Sequence, residues 1–179
     1  MNPVDIRNAL NIHGWMSANE LNWLAKTAQR SKVIVEFGCY FGRSTRVLAD
    51  HCSGIVYAVD PWTGEYFDNN NQSINILRKD AYFGFLQNMA DHIDSGKLAI
   101  YKCVSGEFPE FKADFIFIDG DHRYEEVKKD IEKARRMIMP GGIIAGHDYT
   151  HDDWPGVKQA VSEAFGNVEV VDTIWFQKL

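Results

Sequence analysis

The chain has 179 residues, of which 45% are hydrophobic, 13% aromatic and 25% charged, a composition that fits one globular core and excludes intrinsic disorder. Its formal net charge is −6, and the basic residues cluster no further than Lys128-Lys129 and Arg135-Arg136, so no nucleic-acid partner gripped through phosphates is expected. No apolar run reaches the length of a membrane-spanning helix, so no membrane partner is expected either.

Taken in chain order, Met1-Asn2-Pro3-Val4-Asp5 lacks a basic segment followed by an apolar stretch, and a cytoplasmic location is expected. Ser17 and Glu20 make a capping box for a helix over about residues 18–30, so residues 1–31 read as a helical cap. Trp15 and Met16 are expected in a lid. Seven short β-branched or aromatic runs follow: Val33 to Phe37, Ile55 to Val59, Leu98 to Tyr101, Phe115 to Ile118, Ile143 to Ala145, Val168 to Val171 and Ile174 to Phe176. Residues 62–81 form a polar and aromatic insertion placed near an acceptor pocket, and the Asn71 sequon within it reads as chance. Val127, Ile131, Ala134 and Ile138 lie on one helical stripe ended by Pro140-Gly141-Gly142. Another helix has Pro155 near its start and Gly166 past its end.

Strand and helix alternate, and apolar strands in such a series indicate a parallel sheet covered on both faces. Only Asp172-Thr173 separates the last two strands, which must therefore pair antiparallel. Residues 1–179 read as a single α/β domain with a Rossmann-like sheet. Cys39, Cys52 and Cys103 have no metal-ligand spacing and read as reduced thiols.

The sharpest motif runs from Val33 to Thr45, an apolar strand entering a glycine turn and then a helix. A dinucleotide would need a third glycine for its pyrophosphate, but Tyr40 and Phe41 stand between Gly38 and Gly42. S-adenosylmethionine (SAM) carries no phosphate and suits this loop. Asp60 ends the next strand, where a carboxylate can accept from both ribose hydroxyls, and Glu36 can face the cationic methionine end. Ligands favour this edge of an open α/β sheet.

The segment Glu36 to Ser44 resembles the glycine loop of the catechol O-methyltransferase group. Ile118-Asp119-Gly120-Asp121-His122-Arg123-Tyr124, Pro140-Gly141-Gly142 and Gly146-His147-Asp148-Tyr149 are similar to bacterial methyltransferases of the macrocin O-methyltransferase type. The resemblance covers about residues 17–179 and implies a class I methyltransferase with strand order 3-2-1-4-5-7-6, strand 7 antiparallel. It also implies that Val104, Ser105 and Gly106 contact the adenine. With the loop motif, the expected cofactor site comprises Glu36, Gly38, Cys39, Tyr40, Gly42, Ser44, Asp60, Pro61, Trp62, Ser105, Gly106 and Asp119.

Asp119, Asp121 and His122 follow the fourth strand, and His147 and Asp148 follow the fifth. Carboxylates with an imidazole suit Mg²⁺ or Mn²⁺, and two acids at neighbouring strand ends repel unless a cation or proton separates them. The resemblance implies Asp119, His147 and Asp148 as the metal ligands, with His147 where an acid is usual. Asp121 or His122 could instead cap the next helix.

The expected reaction is attack by a hydroxyl of a small-molecule acceptor (a sugar, phenol or other metabolite) on the SAM methyl group. Asp119, His122 and His147 are the candidate catalytic residues. Two rivals remain open at this stage: a hydroxylase-like relative using His122, His147 and Asp148 for iron, and a non-catalytic SAM-binding module. A homo-oligomer also remains open.

Overall fold

The computed structural model describes residues 3–63 and 80–179; most of the 62–81 insertion, including its sequon, lies outside the described residues. Seven strands form one sheet in the order β3-β2-β1-β4-β5-β7-β6. They are β1 (Val33–Phe37), β2 (Ile55–Val59), β3 (Leu98–Tyr101), β4 (Ala113–Ile118), β5 (Ile138–Gly146), β6 (Glu169–Val171) and β7 (Ile174–Lys178). β7 runs antiparallel to both β5 and β6, with Asp172-Thr173 as the turn. The other pairings, β2 with β3, β1 with β2 and β4, and β4 with β5, are parallel. The expected topology is therefore the observed one.

The helices are α1 (Arg7–Leu10), α2 (Ala18–Ala28), α3 (Arg43–His51), α4 (Ala81–Asn88), α5 (Ala90–Asp94), α6 (Tyr124–Met137) and α7 (Pro155–Phe165). Strand parity divides them between two faces, because successive side chains of a strand point oppositely. Ile34, Phe115 and Phe117 pack with Leu21, Leu24, Val47 and Leu48 of α2 and α3. Val35, Ile116 and Ile118 pack with Val127, Ile131, Val157 and Val161 of α6 and α7. The four-residue α1 is too short to leave a periodic signal in the sequence.

Two local expectations are corrected. The helix before β5 stops at Met137, and Pro140-Gly141-Gly142 lies inside β5. Pro140 disfavours a helical Met139, and Ile138 is already extended and buried in the core. Asp121 does not cap α6; the N-cap is Arg123 without a side-chain cap, and Asp121 instead accepts from the Arg123 amide at 2.9 Å and from its guanidinium. The Ser17–Glu20 capping box forms as expected. Among the described residues, no helix is long and apolar enough to cross a membrane.

Candidate active site

The C-terminal ends of β1, β2, β4 and β5 open into one cavity of about 890 Å³, within the size range of small-molecule sites. The turn after β1 sets its floor. Gly38 has φ +87°, and its amide donates to the Val59 carbonyl at 2.9 Å while the Asp119 amide donates to the Phe37 carbonyl at 2.7 Å. These bonds fasten the loop between β2 and β4. The reason for glycine here is backbone against backbone, because a Cβ would lie 2.0 Å from the Asp119 carbonyl oxygen.

Asp60 holds the loop from the other side. Its Oδ2 accepts the amides of Cys39 at 2.8 Å and Tyr40 at 3.0 Å, and its Oδ1 accepts the Trp62 amide at 2.6 Å. Burial pushes the acid up despite these donors, and the charge of Asp119 adds to the rise. Tyr40 (φ +49°) and Trp62 (φ +45°) take left-handed backbone to allow the clamp, and the Trp62 indole donates to the Tyr40 carbonyl at 2.8 Å. Cys39, Tyr40, Ser44, Asp60, Pro61, Trp62 and Ser105 all line the cavity with Gly38 and Asp119.

Three expected cofactor residues do not reach that wall. Glu36 is fully buried behind the loop, accepting the Thr45 hydroxyl, and burial raises its acid to about 7. Gly42 has φ +91° at the N-cap of α3 and packs against Phe85 and Met89, so it serves the helix entry. Gly106 is turned toward α6, where its carbonyl accepts from Lys133 at 3.1 Å. Trp15 and Met16 line the cavity, and Trp15 stacks on Tyr40 with ring centroids 5.2 Å apart. The Arg43 guanidinium secures this segment through the carbonyls of Ile12 and Gly14.

The second constellation does converge. His122 Nε2 lies 2.8 Å from Asp148 Oδ2 and 3.6 Å from Asp119 Oδ1. His147 Nδ1 lies 3.1 Å from Asp148 Oδ2 and 3.7 Å from Asp119 Oδ1, and its Nε2 lies 3.3 Å from Glu20 Oε1. Asp148 has φ +62°, and strained backbone of this kind gathers at functional sites.

Burial works against a charged His122, yet the carboxylates of Asp119 and Asp148 outweigh it and hold the imidazole up at about 9. His147 is buried too, and Asp119, Asp148 and Glu20 hold it at about 11. Asp148 is pushed below its usual range by the two imidazoles against the opposing effect of burial, whereas burial raises Asp119. The repulsion expected between the two acids is thus relieved by imidazolium protons.

Asp119, His122 and Asp148 offer ligand atoms within 4.8 Å of one another. The imidazole of that group is His122, not the expected His147, which sits between the acids and Glu20. The donor set fits a divalent ion once His122 releases its proton, since a metal ligand must present a free nitrogen lone pair.

Sequence reasoning missed three residues here. Glu20 came only as a helix cap, but it also accepts the Thr173 amide and hydroxyl and faces His147. Trp154 stacks on His122 at 5.0 Å. Asp130, on the buried stripe of α6, reaches the cavity beside Ser105. A buried acid at a core-facing helix position was the available signal for Asp130.

Residues 35–149 match the model of a family described as Methyltransferase domain. A stretch of 57 residues is 35% identical to the uncharacterized protein R132 of Acanthamoeba polyphaga mimivirus, spanning 31% of this chain and only 26% of that protein. Among solved structures, CalS11, a calicheamicin methyltransferase, is 17% identical with a TM-score of 0.68, over 89% of this chain and 77% of that one. A SAM-dependent O-methyltransferase of Thermotoga maritima is 15% identical with a TM-score of 0.67, over 97% and 70%. An O-methyltransferase of Bacillus cereus in complex with SAH is 18% identical with a TM-score of 0.64, over 91% and 78%. At these identities the structures establish the shared fold.

Proposed function

The chain belongs to the Methyltransferase domain family, and from that premise we propose that it is a SAM-dependent methyltransferase that methylates an oxygen of a small hydroxylated acceptor such as a sugar or phenol. The observation that carries this reading is the single cavity joining the glycine loop to the Asp119, His122 and Asp148 cluster. SAM supplies an electrophilic sulfonium methyl when bound. The residues fit it: the loop lining the cavity turns without a phosphate cradle, and the buried carboxylates of Asp60 and Asp119 stand on the same cavity, where a cationic or hydrogen-bond-donating ligand is favoured.

The chain's own part is alignment and proton removal. Gly38, Asp60 and Trp62 hold the loop in one geometry, and alignment of two reactants can lower a barrier by about 7 to 11 kcal/mol in favourable intramolecular cases. His147 keeps its proton to about 11, so near neutral pH it acts as a fixed positive charge that steadies a developing oxyanion rather than as a base. Asp119, whose acid burial raises, is then the group placed to take the acceptor's proton near neutral pH, and His122, held at about 9, can do so only once its own proton has left.

A divalent cation, Mg²⁺ or Mn²⁺, would be held by Asp119, His122 and Asp148 and would make the acceptor hydroxyl more acidic. The geometry supports this ligand group over one containing His147. Methyl-labelled SAM screened against diols, catechols and sugars tests the whole reading, with the position of the label in the product identifying oxygen. Methylation of an acceptor oxygen is expected; SAH binding without turnover across the panel would leave a non-catalytic binding module.

A further inference from the structure

A second cavity, of about 10 Å³, lies behind the acidic edge, between the turn after β4 and the helices α6 and α7. Asp119, His122 and His147 belong to its wall as well as to that of the large cavity, and Val127, Val157 and Trp175 close it from the core side. Trp175 of β7 is only 1% exposed, and its indole N–H meets no acceptor among the described residues. The ring edge is pressed against the end of β5, where a Cβ on Gly146 would lie 2.7 Å from Trp175 Nε1. Glycine before His147 is what lets the indole reach this place. The Asp119 carboxylate is equally unanchored. His122 and His147 stand 3.6 and 3.7 Å from its Oδ1, too far for hydrogen bonds, and no other group among the described residues donates to it.

We propose that the small cavity binds one water molecule, which accepts from Trp175 Nε1 and donates to the Asp119 carboxylate, so that Trp175 is a positioning residue acting on Asp119 from behind. The inference rests on the reading of Asp119 as the group that meets the acceptor and deepens it. A buried indole N–H takes a partner, because leaving such a donor unsatisfied costs more than an ordinary hydrogen bond returns. The cavity has room for about one water, and a water is held where polar groups converge on it. Here the donor on one wall and the carboxylate on the other are bridged by a single molecule that both donates and accepts. The bridge matters for the reaction because a reacting group misplaced by about 1 Å can cost roughly a hundredfold in rate.

The test begins with the ligand-free, ¹⁵N-labelled protein. The Trp175 indole proton, assigned by its loss in Trp175→Phe, should show cross-relaxation with a water that stays bound as the protein tumbles. No such signal overturns the proposal, whatever the cofactor or acceptor. Val157→Ile keeps the indole but puts a methylene into the cavity, and it should abolish the signal; a signal that persists there places the water elsewhere and also overturns the proposal. Once the acceptor panel has supplied a substrate, both variants should lower kcat by roughly ten- to a hundredfold, with SAH affinity and the KM of the acceptor within about threefold of wild type. A kcat equal to wild type, or one that falls in step with SAH affinity, removes Trp175 as a positioning residue. A wild type that shows the bound water but binds no SAH would instead strike at the SAM reading.

Discussion

The alpha carbon of Gly38 faces the Asp119 carbonyl so closely that a methyl group on residue 38 would sit 2.0 Å from that oxygen. The cofactor loop after β1 and the acidic turn after β4 are thus one packed unit. Gly38→Ala should destabilise the protein by about 3 to 5 kcal/mol, from left-handed strain and overpacking together, as well as weaken cofactor binding. Urea denaturation measures the first effect and calorimetry with SAH the second. A variant as stable as wild type would show that the two turns separate freely.

Asp60 is the loop's clamp, since three backbone amides end on its carboxylate. Asp60→Ala should cost about 2 to 4 kcal/mol of stability and reduce SAH affinity at least roughly tenfold, because the amides lose their acceptor and the loop its shape. If the melting temperature holds while affinity falls, Asp60 acts through direct ligand contact instead.

Glu36 makes stability depend on pH. Its folded-state pKa is raised to about 7 from an ordinary 4.5, so the native chain binds more protons than the unfolded one between those values. Stability should therefore fall as pH rises through that window and level off above it. Glu36→Gln removes the ionisation and should raise the stability of the cofactor-free protein at pH 8 by up to about 3 kcal/mol, with little gain at pH 4. Melting curves at both pH values check this; an equal shift at both would trace the effect to packing.

For the acidic edge, turnover should fall in EDTA and return with Mg²⁺ or Mn²⁺, while Asp119→Asn and Asp148→Asn lose turnover by roughly a hundredfold or more yet still bind SAH. Metal titration should separate the imidazoles: His122→Gln weakens the ion, and His147→Gln leaves its affinity within roughly threefold while lowering kcat. Undiminished turnover in EDTA would point to proton transfer by Asp119 without a metal.

Much of this molecule is legible in its sequence. The β-branched runs, the capping box at Ser17, Pro155 and Gly166 around one helix, and the two-residue gap at Asp172-Thr173 each impose a local conformation whatever surrounds them. They were enough for the seven strands and the antiparallel pairing of the last two, while the strand order came with the family resemblance of the Glu36–Ser44 and Ile118–Tyr124 segments. Side-chain partners were not legible, because they depend on which turns meet across the sheet edge. Asp60 looks the same in sequence whether it holds a ribose or three amides. Besides the two acids, His147 meets Glu20, a residue more than a hundred positions away in the chain that only the packing of α2 brings beside β5. Asp130 likewise gains its place from the docking of α6 on the turn after β3. Sequence fixes what each segment can form; tertiary structure alone decides which buried charge faces which, since that energy falls with distance in space rather than along the chain.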